Sequence, residues 1–96
     1  MFPQITIHVN FYGVLREITG KKSDEIQLES GSLGDLLGSL AKRYGGTFES
    51  IFFTSKDLSP QVNIFVNHAV VPSERIPEIK LHHGDQIDLF VPVSGG

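Results

Sequence analysis

The chain has 96 residues, of which 40% are hydrophobic and 20% are charged, so its length allows one hydrophobic core and not two. Cysteine is absent, which excludes disulfides, thiolate metal sites and a thiol nucleophile on this chain. The net charge is −3 and no basic block is present, so a nucleic-acid-binding surface is not expected.

The apolar runs are only a few residues long, far short of a membrane span. The first residues contain no basic stretch followed by an apolar run, the pattern that a signal peptide requires. We therefore expect a cytoplasmic domain without a membrane segment.

Alternating apolar residues predict the first two strands. From Gln4 to Tyr12 the odd positions are apolar and most even positions are polar, which is the period of a strand with one buried face. The stretch from Glu25 to Glu29 repeats the pattern, with Ile26 and Leu28 pointing inward. We expect these two stretches to form the first hairpin of a sheet.

A change of period predicts one amphipathic helix after the second strand. Its apolar positions recur with helical spacing: Leu33, Leu36, Leu37, Leu40, Ala41 and Tyr44. Ser32 can cap the amino end, with Asp35 three residues on, and two glycines follow the last turn. Gly34 and Gly38 each weaken the helix by about 1 kcal/mol relative to alanine. The helix therefore depends on packing its leucines against a sheet.

Further strands follow the helix. Val62 to Val66 and Ile87 to Val91 alternate again, and Ala69 to Val71 predicts a short return strand. Composition predicts the connecting segments. Ile51 to Phe53 is a buried turn or a short extra element, and Lys56 to Pro60 is a loop. Pro72 to Lys80 is a loop with room for one helical turn, and His83 to Asp85 is a tight turn.

This order of elements predicts an α+β fold, with a mixed four- to five-stranded sheet and one main helix packed on one face. The plausible closure places the first and last strands side by side in the centre of the sheet, joined by right-handed crossovers. That arrangement is the β-grasp, or ubiquitin-like, fold. We expect it to span residues 1–91 and to leave residues 92–96 as a flexible tail.

The histidines are not arranged for metal binding or catalysis. His82 and His83 are adjacent, so their side chains point to opposite sides and cannot easily chelate one ion. His8 and His68 have no cysteine and no suitably spaced carboxylate nearby. Other polar residues are interpreted as surface positions: Arg16, Glu17, Asp85 and Asp88. We expect neither a metal site nor a nucleophile and base pair on this chain.

The last five residues, Pro92 to Gly96, are suited to a reaction at the terminal carboxylate. A terminal glycine has no side chain to block attack at its carbonyl, and the bare backbone of Gly95 and Gly96 can enter a narrow tunnel in another protein. Extended, five residues reach about 17 Å. A free carboxylate is a poor electrophile, so it must first be activated, for example as an acyl-adenylate, by an ATP-using enzyme. We therefore predict that the tail, including Ser94, is the substrate of another enzyme.

Three aromatic residues fall on the face of the sheet that the helix does not cover. By alternation Tyr12, Phe65 and Phe90 point away from the helix, and on adjacent strands they form one patch. The alternatives are scattered strand aromatics, or a patch covered by residues 47–61. Exposed aromatic clusters commonly mark interfaces, so we predict partner binding here.

The sequence resembles the MoaD/ThiS ubiquitin-like sulfur carriers, and within them the MoaD branch. The segment Phe11 to Gly20 resembles the family's aromatic, Leu-Arg-Glu and Gly signature, which ThiS proteins generally lack. Leu33 to Tyr44 resembles the family's helix and Val62 to Asn67 its third strand. Gly84 to Ile87 and Phe90 to Gly96 resemble its closing strand and tail. One departure is Val91, where the family often has a second proline.

The resemblance implies how the tail is used. A ubiquitin-activating-type enzyme, similar to MoeB, adenylates the terminal glycine, here Gly96, and a sulfur donor converts it to a thiocarboxylate. The chain binds no cofactor itself, since ATP is used by the activating enzyme. In the MoaD case the small protein docks on a larger subunit, MoaE, and gives sulfur to cyclic pyranopterin monophosphate. Phe90 carries over as an interface residue, and Gly95 and Gly96 as the tail motif.

Related architectures leave alternatives open. Similar proteins serve thiamine, tungsten cofactor or cysteine synthesis, tRNA thiolation, or conjugation to other proteins as ubiquitin-like modifiers. The tail alone does not separate these uses. The expected function is the sulfur-donating small subunit of molybdopterin synthase, with activity that requires the large subunit.

Overall fold

The alternating stretches form a five-stranded mixed sheet in the computed structural model, which describes residues 4–29, 31–46, 48, 53–54, 57–58 and 63–91. The elements in chain order are β1 (Ile5–Gly13), α1 (Val14–Thr19), β2 (Ser23–Leu28), α2 (Leu33–Tyr44), β3 (Phe53–Thr54), β4 (Asp57–Leu58), β5 (Asn63–Val66), β6 (Ala69–Val71), a 3₁₀ helix (Ser73–Glu78) and β7 (Gln86–Val91).

The first and last strands lie together in the centre of the sheet. The strand order is β2-β1-β7-β5-β6, with β1 and β7 parallel and all other neighbours antiparallel. The parallel register sets Val9 beside Ile87 and Phe11 beside Leu89. This is the β-grasp arrangement predicted from the order of elements, and it is confirmed.

The core lies between the sheet and α2. Alternation turns Ile7, Val9 and Phe11 of β1 to one face, where none of the three is exposed to solvent. The other fully buried aliphatic residues come from several elements: Leu15, Leu33, Leu36, Leu40, Ile64, Ile87 and Leu89. The predicted apolar stripe of the helix is therefore the one that packs on the sheet.

The helix α2 begins and ends at the predicted residues. Ser32 has extended backbone geometry, and its Oγ accepts the Asp35 backbone N–H at 3.0 Å. This bond satisfies one of the donors left free at the start of a helix. At the other end, the Gly45 N–H donates to the Ala41 carbonyl.

Across the described ranges, no helix combines the length and apolar character needed to cross a bilayer.

Two small elements differ from the sequence-based prediction: α1 is absent from it, and the pair β3 and β4 replaces part of a predicted loop. The helix α1 follows β1 directly and ends at Gly20, whose φ of 73° lies in the left-handed region. With six residues α1 is too short to show a helical period, although one of them, Leu15, is fully buried. The loop predicted at Lys56 to Pro60 is wrong in part, because Asp57–Leu58 pairs antiparallel with Phe53–Thr54. That hairpin is the short extra element allowed for near Phe53.

A half-buried carboxylate ties β2 to α2. Asp24 accepts hydrogen bonds from the Tyr44 hydroxyl and from Arg43 Nη1, and Lys21 Nζ lies 3.7 Å away. Burial on its own raises the pKa of Asp24, but these donors, the Glu25 backbone N–H and the two cationic charges outweigh it, so this pKa lies below its ordinary value. Burial, together with the Asp24 carboxylate, raises the pKa of Tyr44 to about 12.

We expect Tyr44→Phe to lower the free energy of unfolding by about 1 kcal/mol at neutral pH, because the hydroxyl donates to an ionised acceptor. The pKa of Asp24 is lower in the folded than in the unfolded chain, so this contribution is complete above the ordinary value of 3.8 and is lost as the pH falls through the folded value. Denaturant unfolding from pH 7 to pH 2 measures both effects. The matched control is Tyr12→Phe, whose hydroxyl lies 3.5 Å from Asp88 in an exposed setting. An equal loss from the two variants at pH 7 would contradict the assignment.

Candidate functional site

The open face of the sheet carries a groove lined by aromatic rings. The register pairs Tyr12 with Phe90 and Phe65 with Asp88, and paired residues point to the same face. Together with His68 they line a groove of about 420 Å³. Tyr12 and Phe90 are each 38% exposed, which is high for large apolar side chains in a sheet. The groove is thus an apolar surface accessible from solvent.

A carboxylate lies within this groove. The Asp88 side chain is 15% exposed, and its Oδ1 accepts a hydrogen bond of 2.8 Å from the Asn10 amide and a longer one of 3.5 Å from the Tyr12 hydroxyl. Its Oδ2 lies 3.8 Å from His68 Nδ1. The groove therefore combines apolar walls with one negative charge.

A tight turn positions His68 at the edge of the groove. Asn67 and His68 join β5 to β6 with φ values of 49° and 73°, the left-handed pair that a two-residue hairpin turn requires. Asn67 is held by its backbone N–H, which donates to the Gln86 carbonyl at 2.8 Å, and by its Oδ1, which accepts the Gln86 N–H. The neighbouring strand β7 thus fixes the turn that carries His68.

The groove and the carboxyl-terminal end of β7 lie at the same end of the sheet. The register places Gly13 beside Val91, one residue beyond the pair of Tyr12 and Phe90. Gly13 has φ 62° and ψ −135°, a backbone conformation that other residues rarely adopt, and the helix α1 starts immediately after it. A Cβ on Gly13 would stand 3.6 Å from the Phe90 ring and 3.5 Å from the Val91 carbonyl oxygen. The groove wall and the last strand therefore pack directly against this turn.

Arg16 is exposed, as the sequence predicted, and it also makes two contacts within the chain. Its Nε donates to the Phe11 carbonyl at 2.8 Å, and its guanidinium carbon lies 5.3 Å from the centre of the Tyr12 ring. This is cation–π distance. Arg16 therefore supports the Tyr12 side of the groove.

The structure brings together the three aromatic residues that the sequence placed on one face. Tyr12, Phe65 and Phe90 lie on the adjacent strands β1, β5 and β7 and share one groove. The tail residues Ser94, Gly95 and Gly96 lie outside the described residues, as does Val62 of the predicted third strand.

The sequence shows no suitably spaced carboxylate for His8 or His68, but the fold brings one close to each. His8 Nδ1 lies 3.4 Å from Glu25 Oε1, and His68 Nδ1 lies 3.8 Å from Asp88. Each carboxylate comes from a neighbouring strand, so spacing along the chain did not reveal it. In the part of the chain that the structure describes, no cluster of three or more histidine, aspartate or glutamate side chains could hold a metal ion.

The adjacent histidines belong to the turn before β7. His83 Nδ1 accepts the Thr6 backbone N–H at 3.1 Å, which ties this turn to the start of β1. His82 is largely exposed, and its Nδ1 lies 3.9 Å from Asp85. Asp85 also accepts the His82 backbone N–H at 2.7 Å. These contacts give the two histidines and Asp85 a structural role in the turn.

The sequence does not reveal that two polar residues, Asp88 and His68, line the groove. A signal was present, because the alternation that turns Phe90 outward also turns Asp88 to the same face. It did not show that Phe65 and His68 come alongside from another strand.

Comparisons with known proteins identify relatives along nearly the whole chain. The ThiS family model matches residues 9–96. Small archaeal modifier protein 3 of Haloferax volcanii is 29% identical over 91 residues, which are 94% of this chain and 98% of that protein. The crystal structure of SAMP1 from the same organism has a TM-score of 0.77 at 21% identity and covers 95% of this chain and 99% of that one. A candidate molybdopterin converting factor subunit 1 from Pyrococcus furiosus has a TM-score of 0.71 at 25% identity, with 93% and 99% covered.

We expect Gly13→Ala to lower the free energy of unfolding by about 1–3 kcal/mol, because the new Cβ meets an unfavourable positive φ. Gly38→Ala, inside α2 with open space around it, is the matched control and should stabilise the chain by about 1 kcal/mol. Chemical denaturation of both variants measures the difference. The same sign of change in both would contradict the conformational role of Gly13.

Proposed function

Since this chain belongs to the ThiS family of small ubiquitin-like sulfur carriers and modifiers, which are not themselves catalytic, we propose that it carries sulfur on the carboxylate of Gly96. The observation behind this proposal is that the family match extends through the terminal Gly-Gly, the segment on which the chemistry would take place.

The proposed chemistry requires two partner enzymes in turn. An adenylating enzyme, similar to MoeB, joins the Gly96 carboxylate to AMP from ATP and releases pyrophosphate. A sulfur donor then displaces AMP, which leaves with one carboxylate oxygen, and forms the thiocarboxylate. The chain itself supplies the unhindered carboxyl group and the surface by which the enzymes hold it. Because these steps consume ATP, we place the chain in the cytoplasm.

The position of the groove supports a scheme in which this chain provides the docking surface and the partner enzymes provide the catalysis. Phe90 lines the groove, and Val91 ends β7 beside Gly13, so residues 92–96 begin one residue beyond the groove wall. Five extended residues reach about 17 Å from that point. An enzyme that grips Tyr12, Phe65 and Phe90 can therefore have its active site within reach of Gly96.

The acceptor we propose is the molybdopterin precursor, with the chain acting as the small subunit of molybdopterin synthase beside a MoaE-like large subunit. The support is the Pyrococcus furiosus structure, which is 25% identical and is described as subunit 1 of a molybdopterin converting factor. In this role the groove would dock on the large subunit while the thiocarboxylate enters its active site.

A second candidate function is conjugation to other proteins. The support is the 29% identical relative, which is named a small archaeal modifier protein. In that use the adenylated Gly96 would form an isopeptide bond with a lysine amine instead of a thiocarboxylate. Isopeptide-linked adducts of this chain in cells of its own organism would favour it. Trypsin cleaves last after Lys80, so tryptic peptides whose lysine carries residues 81–96 identify the linkage.

We expect co-expression with the adenylating enzyme and sulfur donor of the same organism to yield a species heavier by one oxygen-to-sulfur exchange. Intact-mass spectrometry detects it, and deletion of Gly95 and Gly96 should abolish it with little change in the unfolding midpoint. Persistent absence of the heavier species with every cognate activator would contradict the sulfur-carrier proposal.

We expect Phe90→Lys to weaken binding to the adenylating enzyme by about tenfold or more, because a charge replaces an apolar wall of the groove. Gln86→Lys is the control, since it adds the same charge on the same strand and the same face but outside the groove. Isothermal titration calorimetry measures both, and circular dichroism checks that each variant is folded. Unchanged affinity in Phe90→Lys would exclude the groove as the docking surface.

A further inference from the structure

The groove contains a carboxylate that forms no ion pair with a lysine or arginine among the described residues. Of its five lining residues, Asp88 is the carboxylate, surrounded by the rings of Tyr12, Phe65 and Phe90 and by His68. The hydrogen bonds to Oδ1 come from a neutral amide and a neutral hydroxyl. Oδ2 faces His68 Nδ1 at 3.8 Å, which is longer than a hydrogen bond, and the His68 side chain is 84% exposed.

Another half-buried carboxylate, Asp24, shows how a lysine and an arginine of the chain can balance such a charge. Asp24, on the helix-covered side, lies 3.2 Å from Arg43 and 3.7 Å from Lys21 and also accepts the Tyr44 hydroxyl. Its charge is thus balanced inside the chain. Asp88 is buried to a similar extent, with side-chain exposures of 15% and 12%, but its contacts are an amide, a phenol and an exposed imidazole.

A partner that closes the groove must deal with this charge. Covering the aromatic walls removes the remaining water from Asp88, and a buried carboxylate is costly unless it is paired. A purely apolar partner surface would therefore bind poorly. We propose that the groove receives an arginine side chain of the partner protein, whose guanidinium binds Asp88 Oδ2 and stacks on the aromatic walls. This inference rests on the proposed function only in assuming that a partner protein docks on the groove.

The aromatic walls and the carboxylate of the groove favour arginine over lysine. A guanidinium is planar, donates two parallel hydrogen bonds to a carboxylate and stacks on aromatic rings, whereas an ammonium is compact and strongly hydrated. The chain provides an example of such stacking, because the Arg16 guanidinium already lies 5.3 Å from the Tyr12 ring centre. The Arg16 Nε is bonded to the Phe11 carbonyl.

A peptide titration tests the inference without any partner enzyme. The probes are three capped tripeptides, Gly-Arg-Gly, Gly-Lys-Gly and Gly-citrulline-Gly, added to the ¹⁵N-labelled full chain. The arginine peptide should shift the amide signals of Phe65, Asp88 and Phe90. Citrulline, which is neutral and has nearly the same shape, should bind about fivefold or more weakly. Equal shifts with the arginine and citrulline peptides, or signals that move elsewhere on the sheet, would overturn the proposal.

The variant Asp88→Asn removes the charge and keeps an oxygen that can accept the Asn10 amide. It should bind the arginine and citrulline peptides equally. Glu25→Gln is the matched control, because it makes the same change in net charge on the same open face, beside His8 and outside the groove. It should preserve the difference between the peptides. If Asp88→Asn proves unfolded by circular dichroism, the wild-type comparison of arginine with citrulline still decides the question.

The same variants separate this inference from the proposed function when they are titrated against the adenylating enzyme. Binding weakened about tenfold by Asp88→Asn, with a shallower salt dependence and no effect of Glu25→Gln, supports the arginine contact. Binding weakened by Phe90→Lys but not by Asp88→Asn overturns the arginine contact and leaves the docking surface intact. Thiocarboxylate formation, followed by mass, tests the sulfur-carrier proposal independently of either result.

Discussion

The parallel pairing of β1 with β7 is the constraint on which the rest of the structure depends. It joins the first and last strands in the centre of the sheet. Val9 lies beside Ile87 and Phe11 beside Leu89, and all four side chains are fully buried. Because the register extends to Gly13 and Val91, it also sets where the last strand ends. A slip of one residue would exchange the two faces of a strand and expose the core residues.

The same pairing gives the two faces of the sheet different physical roles. On one face the apolar side chains meet the leucines of α2, and the Asp24 carboxylate is balanced by the chain's own Arg43 and Lys21. On the other face Tyr12, Phe65 and Phe90 surround Asp88, which pairs with no lysine or arginine in the part of the chain that the structure describes. On the first face the chain itself buries the apolar side chains and neutralises the carboxylate. The second face leaves an apolar groove with a carboxylate open to solvent, which is the property expected of a docking surface.

The division between fold and tail follows from the chemistry proposed for Gly96. Activation of a carboxylate needs ATP and an enzyme's catalytic groups, so the contribution of this chain is a reachable carboxyl group and a surface that can be recognised. Asp24 ties β2 to α2. Because Phe90 of the groove and Val91 are neighbours on β7, the groove lies at a fixed distance from the end of that strand.

The sequence by itself determined the five strands of the main sheet, the helix α2 and the β-grasp order, because periods of two and 3.6 residues appear directly in the positions of apolar residues such as Ile7, Val9 and Leu36. It also determined which face Tyr12, Phe65 and Phe90 occupy, since that follows from alternation alone. Only the tertiary structure decided that Asp88 and His68 join them, that His8 meets Glu25, and that Arg16 stacks on Tyr12. The physical reason is that these contacts join residues of different strands, or residues on either side of the turn at Gly13. They depend on strand register and on one unusual backbone conformation, and neither produces a periodic pattern in the sequence.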